Sequence, residues 1–234
     1  MLNIKKEGIL LKRTAHEFEN DGVLNPAAIR VGDDVHIFYR AVRKGNYSTI
    51  GHCKLKGPLT VEERSETPVL FPELEYEMHG VEDPRITKID DLYYLSFTAY
   101  DGVNALGALA VSKDLIHFDK LGIIVPRMTY EEFRLLAESK GQLNEKYHRY
   151  NERGRVHKKH GKDVLLWDKN VIFFPRRING KIHFLHRIRP DIQIVAVNVL
   201  LELTTEFWEN YFLHLHEKIV LAPKHKHEVS YIGG

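Results

Sequence analysis

The chain has 234 residues, 43% of them hydrophobic, and its 34 Lys and Arg against 32 Asp and Glu give a formal charge of +2. That length can bury a sizeable core, the near-neutral balance excludes a general surface for nucleic acid or another polyanion, and a single cysteine, Cys53, excludes an intrachain disulfide framework. The opening Met1-Leu2-Asn3-Ile4-Lys5-Lys6-Glu7 has no apolar signal core and no stretch is long enough to span a bilayer, so a cytoplasmic protein without a membrane partner is expected.

The first predicted element is a hairpin. After Asn25-Pro26, apolar strands at 27–31 and 35–41 flank Gly32-Asp33. The second hairpin, 85–89 and 93–99 around Asp90-Asp91, opens on Gly80-Val81-Glu82-Asp83-Pro84-Arg85-Ile86. Pro84 cannot donate to a ladder, which places it at the first residue of a strand or on an edge and puts Asp83 at a strand mouth. Neighbours in a strand point to opposite faces, so one of Glu82 and Asp83 is expected to face a pocket while the other is held by Arg85 or solvent. The same residues also read as a solvated acidic turn. A strand at 106–112 follows, then the turn Lys113-Asp114-Leu115 and a strand Ile116-His117-Phe118.

Residues 129–162 break the β pattern. Thr129 and Glu132 form a capping-box signature, and Phe133, Leu136 and Ala137 recur at helical spacing. One or two helices are expected there, charged on the outer face, serving as a lid, a homo-oligomer contact or a plain surface excursion. A third hairpin, 171–176 and 181–187, turns on Asn179-Gly180. Hairpins repeated in this way predict blades of a β-propeller forming one domain over 1–234. At roughly 40–50 residues per blade, about four blades' worth of strands fit. The end, Val229-Ser230-Tyr231-Ile232-Gly233-Gly234, stops in a turn, which predicts a fragment of a longer protein because a propeller must close. His157-Lys158-Lys159-His160 and His225-Lys226-His227-Glu228 read as solvated basic loops, since the lysines repel a cation, and no metal is expected.

In order and spacing these residues resemble glycoside hydrolase family 130, the β-mannoside phosphorylases and related mannosidases. The marks are Asn25-Pro26, Arg40, the 80–86 segment, Ser112-Lys113-Asp114-Leu115, Asp168-Lys169-Asn170, Phe174-Pro175, Asn179-Gly180-Lys181, Leu185-His186-Arg187 and the terminal Ile232-Gly233-Gly234. The resemblance implies an all-β, five-bladed β-propeller with its site in the central funnel. It implies Asp83 as catalytic acid, acting through a sugar hydroxyl, Asn25 and Arg40 as sugar-holding residues, and Lys169 and Arg187 as phosphate-holding residues. Tyr231 stands where many phosphorylases have a further lysine. Tyr100 and Asp101, at a strand end, are read as further substrate-binding residues of the funnel.

The chemistry fits those residue types. Inverting glycosyl transfer needs an acid for the departing oxygen and a nucleophile on the opposite face of the ring. Inorganic phosphate is already anionic, so as co-substrate it needs cations in place of a protein base, whereas water needs a carboxylate. No cofactor is called for, and the expected partner is a small oligosaccharide. Three function classes follow: a phosphorylase releasing α-mannose 1-phosphate, a hydrolase of the same glycosides, and a noncatalytic sugar-binding propeller. The cations Lys169 and Arg187 favour the first over the second, and Asp83 speaks against the third.

Overall fold

A computed structural model describes residues 3–57, 59–151 and 158–228. Its strands form three four-stranded antiparallel units. The first comprises β1 (Gly22–Val31), β2 (Asp34–Arg43), β3 (Tyr47–Lys56) and β4 (Thr60–Arg64). The second comprises β5 (Gly80–Ile89), β6 (Leu92–Tyr100), β7 (Ala105–Ser112) and β8 (Asp119–Ile123). A short ribbon, β9 (Lys158–Lys159) and β10 (Lys162–Asp163), precedes the third, β11 (Lys169–Phe173), β12 (Ile182–Arg187), β13 (Ile192–Val197) and β14 (Ile219–Leu221). These units are propeller blades. Their first strands lie side by side, with β5 touching both β1 and β11. Single parallel bridges, Ser48 to Gly80 and Leu106 to Asp168, join successive blades.

The turns obey the sequence. Asn179 and Gly180 both have positive φ, 50° and 76°, as the tight turn between β11 and β12 requires. Asp90 takes φ 53° at the β5–β6 turn. Two expectations need correction. Ile116-His117-Phe118 is not a strand: the Asp114 carboxylate accepts from the amides of Ile116 and His117 at 2.9 and 2.8 Å and holds this stretch as a turn, so β8 starts at Asp119. The described residues contain three blades rather than four, because helices take up the length assigned to the fourth. These are α1 (Tyr130–Glu138) and α2 (Glu145–Tyr150) in the insert, and α3 (Thr205–Leu213) and α4 (Leu215–Lys218) between β13 and β14.

Thr129 and Glu132 make the capping box at α1, with Glu132 N–H donating to Thr129 Oγ1 and Thr129 N–H to Glu132 Oε2. The charged outer face is as expected, Arg134 lying between Glu131 and Glu138. The inner face is not an excursion. Tyr130, Phe133, Ala137, Leu143 and Tyr147 are buried in the largest core cluster, together with residues of the second and third blades and α3. Phe133 meets Phe212 edge-on at 5.1 Å between ring centroids.

The insert leaves and rejoins the sheet at one place. Ile124 N–H donates to the Gly107 carbonyl, and Gly107 N–H donates to the Asp168 carbonyl. A Cβ on Gly107 would stand 2.5 Å from Val171 Cγ2, so only glycine permits this close approach.

Each blade carries the same distortion in its first strand. Register slips between Leu24 and Ala27 in β1, Glu82 and Arg85 in β5, and Lys169 and Ile172 in β11. At each slip stands a residue with positive φ: Asn25 (47°), Asp83 (52°) and Asn170 (61°). Asn and Asp tolerate this left-handed region better than other side chains. Pro26 and Pro84 follow two of them, on strands that bear no antiparallel partner on that edge. Pro84 thus lies within β5, at a bulge on that edge, the second of its two expected places.

Candidate active site

The first two bulges turn Asn25 and Asp83 out of the strand alternation and toward one another. Asn25 Nδ2 donates to Asp83 Oδ1 at 2.6 Å. Arg40 comes from β2, opposite Leu24. Its Nη2 meets Glu82 Oε1 at 2.7 Å, its Nη1 meets Asp83 Oδ1 at 3.4 Å, and its Nε donates to Ser48 Oγ at 2.8 Å. Glu82 and Asp83 therefore share one guanidinium. The alternation rule that set them on opposite faces fails here because the bulge inserts a residue between them and the regular register. The cation held against the pair is Arg40, while Arg85 donates to the Pro84 carbonyl. Gly80 keeps the space open: a Cβ there would lie 3.2 Å from Ser48 Cβ and 3.3 Å from Glu82 Oε1.

The side chains of Arg40, Glu82 and Asp83 are 13%, 9% and 17% exposed. Burial raises the Glu82 carboxyl above its ordinary range against the pull of Arg40, and the Asp83 charge adds to the rise.

Lys169 begins β11 directly opposite Arg187 on β12. Burial lowers its ammonium below the ordinary range; Asp83 and Glu82 oppose that shift, whereas Arg187 and Arg189 reinforce it. Lys169 thus stands between the acids and the arginines, 5.8 Å over the Trp167 ring. Beneath it, fully buried His186 places Nδ1 2.7 Å from Asp168 Oδ2 and Nε2 2.9 Å from the Tyr211 hydroxyl, tying the roots of Lys169 and Arg187 to α3.

Lys169 and Arg187 open on a cavity of about 420 Å³ that Arg189, Trp167, Arg149 and Tyr150 also line. No Asp or Glu is among its described lining residues. The insert contributes part of this wall. Among the described residues no group of His, Cys, Asp and Glu is placed to hold a metal ion, and no helix is long and apolar enough to cross a membrane.

The structure thus brings Asn25, Arg40, Asp83, Lys169 and Arg187 together. The contacts of Tyr100 and Asp101 are with other residues. Asp101 Oδ1 accepts from the amides of Val103 and Asn104 at 2.8 and 2.7 Å, and Oδ2 pairs with Lys162 at 3.3 Å. Burial alone would raise this carboxyl, but those amides and Lys162 outweigh it and hold it below its usual range. Its oxygens close the β6–β7 turn and pair with Lys162. The Tyr100 hydroxyl donates to the Gly102 carbonyl and its ring meets His79 edge-on. Asp101 lines a separate cavity with His79 and Lys162. Tyr231 lies outside the described residues.

Sequence reasoning left open which of Glu82 and Asp83 faces the pocket, and it passed over Arg189 and Arg149, which line the cavity. Arg189, two residues beyond Arg187, carries only the weak signal of strand spacing.

A family model described as beta-1,4-mannooligosaccharide phosphorylase matches residues 11–217. Two proteins of Thermoanaerobacter sp. (strain X514) are similar: a 1,2-beta-oligomannan phosphorylase, 29% identical over 209 residues, and a beta-1,2-mannobiose phosphorylase, 30% identical over 208. Each alignment covers 83% of this chain and 56% of the relative, so the chain spans about half the length of the curated relatives it matches. A solved protein structure from Parabacteroides distasonis ATCC 8503 superposes with TM-score 0.60 at 20% identity, over 82% of this chain and 55% of that one. Such neighbours are five-bladed β-propellers, and the three blades follow that fold.

Proposed function

The chain belongs to glycoside hydrolase family 130, and we propose that its site cleaves β-mannosides with inorganic phosphate, with inversion, to give α-mannose 1-phosphate. The observation that carries this reading is the Lys169–Arg187 pair beside the Asp83–Glu82 pair, opening on a cavity whose described lining has four cations and no carboxylate. Such a site suits an anionic nucleophile. Water would need a base there.

In this reading Asp83 is the acid. Both of its described donors, Asn25 and Arg40, use Oδ1. They fix that oxygen and leave Oδ2 to carry the proton. That proton passes, directly or through a sugar hydroxyl, to the departing glycosidic oxygen as the anomeric C–O bond breaks. A phosphate oxygen held by Lys169 and Arg187 forms the new bond to the anomeric carbon from the opposite face. Arg forks and ammonium groups suit this because they strengthen contacts to an anion without a proton step. Glu82 keeps Arg40 oriented, and Asn25 and Arg40 also hold the sugar. The substrate is a small β-mannoside, the kind of compound that the relatives are named for, and phosphate is the only co-substrate.

The test is turnover of β-1,2- and β-1,4-linked mannobiose with and without inorganic phosphate. Phosphate-dependent consumption supports the reading. Release of free mannose at full rate in phosphate-free buffer replaces it with hydrolysis, and no turnover of any mannoside leaves the noncatalytic alternative.

A further inference from the structure

Two cations of the cavity are not accounted for by Lys169 and Arg187. Arg189 follows β12 in the loop to β13, and Arg149 sits in the last turn of α2 in the insert. The structure stitches these two segments together. Asn151 Nδ2 donates to the Arg189 carbonyl at 3.0 Å, and the Tyr147 hydroxyl donates to Asp191 Oδ2 at 2.7 Å. Gln193 Nε2 donates in turn to that hydroxyl at 3.0 Å. Arg149 lies between Tyr147 and Asn151 in sequence, so both flanks of its turn are anchored to the loop that carries Arg189. Tyr147 is 1% exposed and belongs to the core, so this turn is fixed from below as well.

We propose that Arg189 and the insert's Arg149 are further phosphate-binding residues, which complete a four-cation pocket and make the helical insert one wall of the phosphate site. The inference rests on the phosphorolytic reading and extends it to residues outside the Lys169–Arg187 pair. The described lining of the cavity gathers four cations and no Asp or Glu, a charge set that suits an anion. The depressed ammonium of Lys169, lowered by burial and further by Arg187 and Arg189, agrees with that charge set. The cavity is within the size range of small-molecule sites and is walled on one side by Trp167 and Tyr150. That enclosure, with a net charge of only +2 on the chain, fits a small dianion rather than a nucleic-acid strand.

The experiment measures inorganic phosphate binding without turnover. Trp167 lies in the pocket wall while Trp208 is buried in the core, so intrinsic fluorescence reports the site, and calorimetry provides an independent reading. Arg149→Ala and Arg189→Ala should each weaken phosphate binding about tenfold or more, and raise the KM for phosphate in step, while the KM for mannobiose stays within about twofold. Arg189→Lys keeps the charge and should recover part of the loss, which a purely structural role would not do. Circular dichroism of each variant excludes misfolding, and Arg149, exposed on the insert, can be replaced without opening the core. Unchanged phosphate affinity in folded Arg149→Ala and Arg189→Ala overturns the inference. If wild type binds phosphate through these arginines yet turns over without it, the anion site stands and the phosphorylase reading falls. If wild type binds no phosphate, both fall.

Discussion

Replacing Arg40 with Met removes the one guanidinium that Glu82 and Asp83 share, at 2.7 and 3.4 Å, and keeps much of its length. All three side chains are less than a fifth exposed. Exposed ion pairs are worth about 0–1 kcal/mol, but stripping one partner from a buried pair typically costs about 3–5 kcal/mol because a charge is left without compensation. Here two adjacent carboxylates are left, relieved in part by Lys169. A loss near the lower end, about 3 kcal/mol at pH 7, is expected. Glu82 already has a raised carboxyl pKa, from burial above all, so it takes up a proton readily once Arg40 is gone. The loss should therefore shrink as pH falls toward 5. The assay is urea denaturation of wild type, Arg40→Met, Glu82→Gln and the double variant at both pH values. The double variant should be more stable than the sum of the single losses implies, by more than about 1 kcal/mol. An Arg40→Met loss below about 1 kcal/mol, with additive single effects, would refute the claim that these groups act as one buried cluster.

Asp83→Asn should abolish turnover of an unactivated mannobiose while leaving the melting temperature within a few degrees; retained activity would move the acid role elsewhere. Lys169→Ala and Arg187→Ala should each raise the KM for phosphate about 10–100-fold with little change in the KM for mannobiose, the loss expected for a charged contact to the nucleophile. Because burial lowers the Lys169 ammonium below the ordinary lysine range, phosphate binding should weaken as pH rises through its depressed pKa, and Lys169→Arg should move that loss to higher pH. In the first blade His36 Nδ1 and His52 Nε2 face each other at 3.0 Å, and burial, followed by the His36 charge, pushes the His52 imidazole down to about 4. The unfolded chain takes up that proton near 6.5. Stability should thus fall as pH drops from about 6.5 toward about 4, and His52→Phe should flatten that decline in pH-dependent melting curves.

Much of the fold was legible because the turns are chemically explicit. Gly32-Asp33, Asp90-Asp91 and Asn179-Gly180 supply left-handed residues where hairpins need them, and the Thr129–Glu132 pair marks α1. The helix α3 was missed although Thr204 caps it and Phe207, Trp208, Tyr211 and Phe212 pack from it. Its aromatic residues suit a strand as readily as a helix. The site was legible only in part. The presence of Asp83 and Arg40 could be read from the sequence, but their relation to Glu82 could not, because a bulge overrides the two-residue period on which strand reasoning depends. Asp101 misled for the opposite reason: an acidic residue at a strand end looks available, yet here its oxygens serve a turn and Lys162. Arg149 and Arg189 meet only through the docking of the insert, a long-range packing event that no local pattern encodes.

The measurement that bears most directly on the central claim is an NMR time course of mannobiose turnover in phosphate buffer, following the anomeric proton and the phosphorus of the first product formed. Phosphorolysis at the Asp83–Lys169–Arg187 site predicts α-mannose 1-phosphate as that first product from wild type and none from Asp83→Asn. The β-anomer of the phosphate would contradict inversion, and free mannose appearing without any phosphate ester would contradict the phosphorolytic site itself.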